Sequence, residues 1–291
     1  MAIEINSNVV TGAPTPSASV IVLRDGTAGL ELLMMRRHGR SAVLGGVHVF
    51  PGGKLDDSDH GAAALADPQA GQRLAQALNE PELDPHTALG LHVAALRETL
   101  EECGLLLGHE VPDTVAEVLR RWRAGEGFVA LHQQLGLPLA TDSLVPWSRW
   151  ITPRVPSVSN KRFDTRFFIC SAPSGQTAAH DNHEATEALW TTPRAALERY
   201  WQRDIELAPP QIMTLSQLAR QASVADVLAQ ARRTPPALIE PEPFDLDGLR
   251  VICYPGDPRH SRPQPVWDGP TRLTFRDQRF EPEGGLAALL P

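Results

Sequence analysis

Residues Arg97 to Leu105 read RETLEECGL, which sets Glu98, Glu101 and Glu102 at i, i+3 and i+4. Residues at those spacings share one helix face, so the three carboxylates project together. Leu89, Val93, Leu96, Leu100 and Cys103 recur at intervals of 4, 3, 4 and 3. That is an amphipathic stripe, and at about 100° per residue it lies roughly opposite the glutamates. Gly104 suits the left-handed position that ends many helices. Such a helix must bury one face and hold a carboxylate cluster on the other.

A solvated acidic face is the plain reading of a charge run. Against it, Glu98 and Glu102 repel each other at i,i+4, at a cost of about 0.2–0.5 kcal/mol. Arg97 can pair with Glu101, but one cation does not neutralise three carboxylates. A hard divalent cation does. Mg²⁺ takes oxygen ligands, keeps several waters and usually arrives with a substrate phosphate. The cluster therefore points to phosphate chemistry, provided an opening lies beside it. Upstream, GGVHVFPGGKLDDSD holds a short β-like run, Val47 to Phe50, and then Pro51-Gly52-Gly53. The two glycines permit positive φ and let the backbone approach a ligand closely.

Together these segments resemble the Nudix box, G-x5-E-x7-R-E-U-x-E-E-x-G-U, where U is bulky and apolar. Arg97, Glu98, Thr99, Glu101, Glu102, Gly104 and Leu105 fill its second half, with Thr99 a weak U. Gly53 opens the first half, and Asp59 stands where the first glutamate belongs. The box has seven residues between its first acid and its arginine. Here 37 separate Asp59 from Arg97, an insert of 30. Ala62 to Glu80 is rich in Ala, Leu and Gln and reads as an extra helix, broken by Pro81, Asp84 and Pro85 before the acidic helix starts near Thr87. Loop-closure entropy grows only logarithmically with length, so an insert here is tolerable. It leaves the register of Asp59 against Arg97 unset by sequence.

An interrupted box of this kind is similar to that of the coenzyme A diphosphatase branch, the Nudix 19-like enzymes. That branch shares an FPGG-x-L-D entry, here Phe50 to Asp56, and an RET-x-EE-x-G exit, here Arg97 to Gly104. Trp147 to Pro153, Arg162 to Phe168 and Glu184 to Leu197 fit the same resemblance, which covers roughly residues 17 to 220. The coenzyme A signature upstream, L-L-T-x-R-(S/A)-x3-R-x3-G-x3-F-P-G-G, is partly present. Leu32, Leu33, Arg36, Gly46 and Phe50 fit; Met34 replaces the threonine, Arg37 takes the small-residue position, and Ser41 stands at the second arginine, with Arg40 one residue away.

The resemblance implies hydrolysis of a phosphoanhydride in a nucleoside diphosphate linked to another group. Coenzyme A or acyl-CoA, giving 3′,5′-ADP and a phosphopantetheine, is the first expectation. ADP-ribose, NADH or a nucleotide sugar is the alternative substrate class. A non-catalytic nucleotide-binding regulator is the alternative from another functional class, and the intact trio of glutamates argues against it. Carried over position by position, Glu98, Glu101 and Glu102 are the ligands for Mg²⁺ or Mn²⁺, with the Gly53 carbonyl a further one. Glu98, or second Glu102, accepts the proton of the attacking water. Arg97 orients Glu101 and the glycine loop. Glu184 and Glu187 lie in a segment that often supplies a late acid to such sites.

Among the cations, Arg36, Arg37 and Arg40 precede the glycine loop, where guanidinium groups can hold phosphates bidentately beside Gly52 and Gly53. Ordinary surface arginines are the alternative. Arg162, Asp164 and Arg166 alternate on one strand face, expected as a charged solvent face or a cleft lining, with Phe163, Thr165, Phe167 and Ile169 on the other. His180 and His183 read as loop residues, since Mg²⁺ prefers oxygen. Trp147, Trp150 and Trp190 read as packed aromatics rather than base-stacking platforms.

The 291 residues are 42% hydrophobic, enough for one large domain or two small ones. A net charge of −8 argues against non-specific nucleic-acid binding. No run of about 18 apolar residues and no secretory leader is visible, and three well-separated cysteines suit a reducing, cytoplasmic setting. Strands and helices alternate in an order that suits an α/β/α sandwich with a mixed sheet. The expected organisation is a loose arm over 1–16, a core domain over 17–235 with the insert at about 60–86, and a Pro-rich extension over 236–291. That extension either packs on the core or forms an oligomer contact such as that of a homodimer.

Overall fold

A computed structural model describes residues 8–39, 44–155, 161–180 and 185–291. The first half of the chain runs β1 (Thr15–Gly26), β2 (Gly29–Arg37), β3 (His48–Val49), β4 (Gly52–Lys54), a 3-10 helix (Asp57–Leu65), α1 (Ala70–Ala77), α2 (Pro85–Cys103), α3 (Pro112–Arg123) and α4 (Phe128–Leu135). Then come β5 (Val145–Ile151), β6 (Phe163–Ser171), β7 (Ala185–Thr191), α5 (Pro193–Trp201), α6 (Pro209–Leu218) and α7 (Val224–Arg233). The C-terminal part holds β8 (Ala237–Ile239), β9 (Glu242–Leu246), β10 (Leu249–Cys253), β11 (Arg272–Arg276), β12 (Arg279–Glu281) and the short α8 (Leu286–Leu289).

The main sheet is mixed. Its order is β3-β2-β1-β6-β5-β8, with β4 paired to β1 and β7 paired to β2. β1 runs parallel to β6, and β5 parallel to β8. A strand covered on both faces reads as a continuous apolar run rather than an alternation. β1 does this at Val20-Ile21-Val22-Leu23. Val20 and Val22 join the core beneath α2, and Ile21 and Leu23 join the opposite core with residues of α5, α6 and α7. Helices therefore lie on both faces, and the α/β/α expectation holds.

α2 carries the acidic cluster on a rigid base. Its stripe Leu89, Val93, Leu96, Leu100 and Cys103 is buried, and Gly104 caps it at φ +67°. The helix begins two residues earlier than the sequence suggested. Asp84 accepts the Thr87 N–H, and Pro85 sits in the first turn, so the pair read as a break is the start signal. The insert is likewise not one helix from Ala62 to Glu80. Pro68 disfavours helical backbone at Asp67, so a 3-10 segment and the short α1 form on either side. Ala62, Leu74, Ala75 and Leu78 pack into the core under α2.

The charged face of β6 is neither solvent-exposed nor part of the cleft. Asp164 and Arg166 are buried, and they close a four-residue ion network with Arg149 on β5 and Glu80 at the end of the insert. Glu80 lies 2.6 Å from both guanidinium groups, and Asp164 lies 2.8 Å from Arg149 and 2.9 Å from Arg166. Arg162 instead donates to the carbonyls of Thr152 and Gly12. With the Val10 N–H bonded to the Arg154 carbonyl, this ties down residues 10–16, which were expected to be loose. The segment after 235 packs on the core: β8 extends the main sheet, β9 to β12 form a second sheet, and Trp267 stacks on Trp150 at 6.0 Å and 14°. Among the described residues no helix is long and apolar enough to cross a membrane.

Removing one member of a buried ion network strands the others. Glu80→Ala should destabilise the fold by about 3 kcal/mol in urea unfolding. A change under about 0.5 kcal/mol would show that the network does not anchor the insert.

Candidate active site

The site starts from a strap of two glycines. β4 pairs with the start of β1, matching Ala18 with Gly53 and Ser19 with Gly52. At Gly52, with φ +154°, a Cβ would sit 2.3 Å from the Ala18 carbonyl oxygen. At Gly53 it would sit 2.1 Å from Glu98 Oε1. At Gly52 the obstacle is backbone, so glycine is required there for β1 to close in; at Gly53 it is the carboxylate end of Glu98, which a side chain would push aside. The Gly52 N–H donates to Glu102 Oε2 at 3.0 Å, which fixes the strap to the acidic helix.

Arg97 organises the rest. Its Nε and Nη2 donate to the two oxygens of Asp59 at 2.8 and 3.0 Å, a bidentate fork. Its Nη1 reaches Glu98 at 2.8 Å and Glu101 at 3.4 Å, and Nη2 reaches the Lys54 carbonyl at 3.1 Å. Burial works against the arginine's charge, but hydrogen bonds and charge from Asp59 and Glu98 outweigh it and hold the guanidinium above its usual range. Asp59 is fully buried and also accepts the Asp56 N–H at 2.9 Å. The register that the sequence left unset is thus set in space: across the insert, Asp59 faces Arg97 directly.

A cleft of about 590 Å³ opens beside this cluster. Gly52, Gly53, Lys54, Arg97, Glu98 and Glu101 line one part of it. Glu98 and Glu101 have side chains 12% and 39% exposed, while Glu102 is buried with an oxygen turned to the Gly52 N–H. The acidic side chains here are all carboxylate oxygen donors, and Gly53 lines the cleft beside them, a chemistry that suits a hard divalent cation. Among the described residues, no three such side chains are gathered tightly enough to cage an ion by themselves.

The expected cations divide. Arg36 is exposed and lies opposite Glu187 in the β2–β7 register, away from the cleft lining. The register slips between Arg36 and Arg37, with Thr186 the extra residue on β7. Arg37 is the one that lines the cleft, and its buried Nε has no hydrogen-bond partner among the described residues. Arg40, Glu184 and His183 lie outside the described residues. Glu187 is not part of the cleft lining; its carboxylate lies 3.8 Å from Nε2 of His48, whose pKa burial lowers to about 4. His180 has a buried Nδ1 with no hydrogen-bond partner among the described residues and is not in the lining. Trp150 lines the cleft but is also packed among Phe167, Tyr254 and Trp267.

Sequence reasoning missed Lys54 and Lys161, which both line the cleft. Lys54 follows the two glycines directly and could have been found by that position. Lys161 carries no local signal. It also missed that Phe163, Thr165 and Phe167, the apolar alternate face of β6, form the cleft floor.

Asp59 positions Arg97 without lining the cleft itself. Asp59→Asn should lower kcat by roughly 10–100-fold, as the loss of a supporting partner behind a ligand set does. Circular dichroism should confirm that the variant is folded. Unchanged kcat in a folded variant would mean that the Arg97 fork is dispensable.

The model of the NUDT19 Nudix domain matches residues 6–218. Similar relatives include the acyl-coenzyme A diphosphatase NUDT19 of Xenopus laevis, 29% identical over 80% of this chain and 72% of that protein. The protein of the same name from Gallus gallus is 30% identical over 69% of this chain and 64% of that one. Among solved structures, a NUDIX hydrolase from Alicyclobacillus acidocaldarius is 27% identical with a TM-score of 0.56, covering 75% of this chain and 97% of that one. With the family model matching well over half of its length and the box held together around Arg97, the chain belongs to the NUDT19 Nudix domain family and is a Nudix hydrolase.

Proposed function

We propose that this chain hydrolyses the diphosphate of coenzyme A or an acyl-CoA to 3′,5′-ADP and the matching phosphopantetheine, using Mg²⁺ or Mn²⁺. Nudix hydrolases generally use divalent metals. The observation that carries the reading is one cleft lined both by α2 carboxylates and by Arg37, Lys54 and Lys161. Such a site offers ligands for a cation and partners for more than one phosphate. Coenzyme A carries a 3′-phosphate as well as its diphosphate, so it needs that second set. The names of the relatives point the same way. The reading places the enzyme in the cytoplasm, with Cys103, Cys170 and Cys253 as buried thiols.

In the reaction a water oxygen bonds to one phosphorus of the diphosphate and gives up its proton to a base, and the bridging P–O bond breaks with its electrons on the leaving phosphate. Each product keeps one of the two diphosphate phosphates, 3′,5′-ADP retaining its 3′-phosphate as well. A divalent ion held by Glu98, Glu101, Glu102 and the Gly53 carbonyl would offset phosphate charge and acidify a bound water. Glu98 is the proton acceptor we favour, because it lines the cleft while Glu102 is turned to the Gly52 N–H. Arg97 keeps Glu98 and Glu101 oriented. Arg37 and Lys161 hold substrate phosphates, and Lys54 lies beside the glycine strap.

Glu101→Gln should cut kcat by about 100-fold or more while leaving the fold intact. Wild-type turnover in that variant, on every diphosphate the protein hydrolyses, would remove the ligand assignment. Tight nucleotide binding without turnover of any substrate would favour a binding protein instead. For the substrate, kcat/KM on coenzyme A should exceed that on 3′-dephospho-coenzyme A by about tenfold or more, since charge-assisted contacts are worth about 1.5–3 kcal/mol. Arg37→Ala should shrink that ratio. A preference for ADP-ribose, NADH or a nucleotide sugar would leave only the general diphosphatase.

A further inference from the structure

The cleft does not end at the phosphate chemistry. β4, β1, β6, β5 and β8 succeed one another in the sheet, and strands lie about 4.8 Å apart. Four steps from the glycine strap to β8 therefore span about 19 Å. The lining follows that path from Gly53, through Phe163 and Thr165 on β6 and Trp150 on β5, to Pro241 just beyond β8 and Ile252 on β10. Pro209 and Pro210 at the start of α6 also line the cleft. Lys54, Arg97, Glu98 and Glu101 lie at the strap and α2, Lys161 lies just ahead of β6, and the lining beyond β5, Pro241 and Ile252, is apolar.

Proline has no N–H, so Pro241 presents apolar surface without a backbone donor. A nucleobase is recognised through donors and acceptors or by stacking on an open ring face. The tryptophan at this end is committed to other rings: Trp150 stacks on Trp267 and meets Phe167 and Tyr254 edge-on. An alkyl chain needs only apolar area. The wall is also firmly seated, since Ile252 and Tyr254 are buried with Trp150 in one core cluster. Pro241 and Ile252 both lie beyond residue 218, where the match to the family model stops.

Resting on the coenzyme A reading above, we infer that the C-terminal extension builds an acyl-binding wall. Pro241 and Ile252, beside Trp150, receive the acyl chain of an acyl-CoA whose diphosphate lies at the glycine strap. The extension is then a specificity element, selecting long-chain thioesters over free coenzyme A.

The test measures kcat/KM for free coenzyme A and for saturated acyl-CoAs of increasing length, below their micelle-forming concentrations. The wild type and two variants, Ile252→Ser and Pro241→Ser, are compared, each checked by circular dichroism. In the wild type kcat/KM should climb by about threefold or more per two added methylenes until the wall is covered. Each folded variant should lower the ratio of long-chain acyl-CoA to coenzyme A by about fivefold or more. Ile252→Phe, which keeps the site apolar while narrowing it, should move the optimum to shorter chains and serves if a serine variant does not fold. A flat chain-length profile in the wild type, or folded variants that keep the wild-type profile, overturns the wall while free coenzyme A is still cleaved. No turnover of coenzyme A or any acyl-CoA, with another diphosphate hydrolysed, overturns the substrate reading and the wall together.

Discussion

The guanidinium of Arg97 reaches groups that are far apart in the chain: both oxygens of Asp59, the carboxylates of Glu98 and Glu101, and the Lys54 carbonyl. Arginine suits this task because its donors form a rigid planar fork. One group thereby aligns the glycine strap, the insert's first turn and the acidic helix. Like-charged neighbours on α2 are tolerable because a cation sits among them, and Glu102 is separately tied to the strap through Gly52.

The insert could have displaced this arrangement, and two charged contacts prevent that. Asp59 pins its beginning to Arg97, and Glu80 pins its end to Arg149 and Arg166. Between these pins its apolar side chains pack beneath α2. A long insertion costs little in closure entropy when both ends are fixed by the fold. Buried ion networks rarely stabilise more than apolar packing would, but they demand a defined geometry. Here that geometry fixes where the insert ends.

The cleft joins two kinds of surface that different parts of the chain provide. The strap and α2 supply carboxylate oxygens and the cations Lys54 and Arg97. β5, β6, the start of α6 and the extension supply an apolar floor and wall. An amphipathic substrate with a polyanionic head fits such a division better than a compact nucleotide does.

The spacing of Glu98, Glu101 and Glu102, the stripe from Leu89 to Cys103 and the cap at Gly104 determined the acidic helix from sequence alone, because helix periodicity is a local property. The Gly52-Gly53 strap and the layered fold were legible for the same reason, through short motifs and the order of elements. Contacts across the chain were not legible. Asp59 meets Arg97 only because the insert folds back, and Asp164 and Arg166 are buried only because Glu80 arrives from that insert. Arg36 and Arg37 are consecutive strand residues and so face opposite sides, and only the tertiary structure shows that the Arg37 side is the cleft. Pro241 and Ile252 reach the cleft through the pairing of β8 with β5 and the stacking of Trp267 on Trp150. Pairings between residues so far apart in sequence leave no period in the sequence, so only the tertiary structure could decide them.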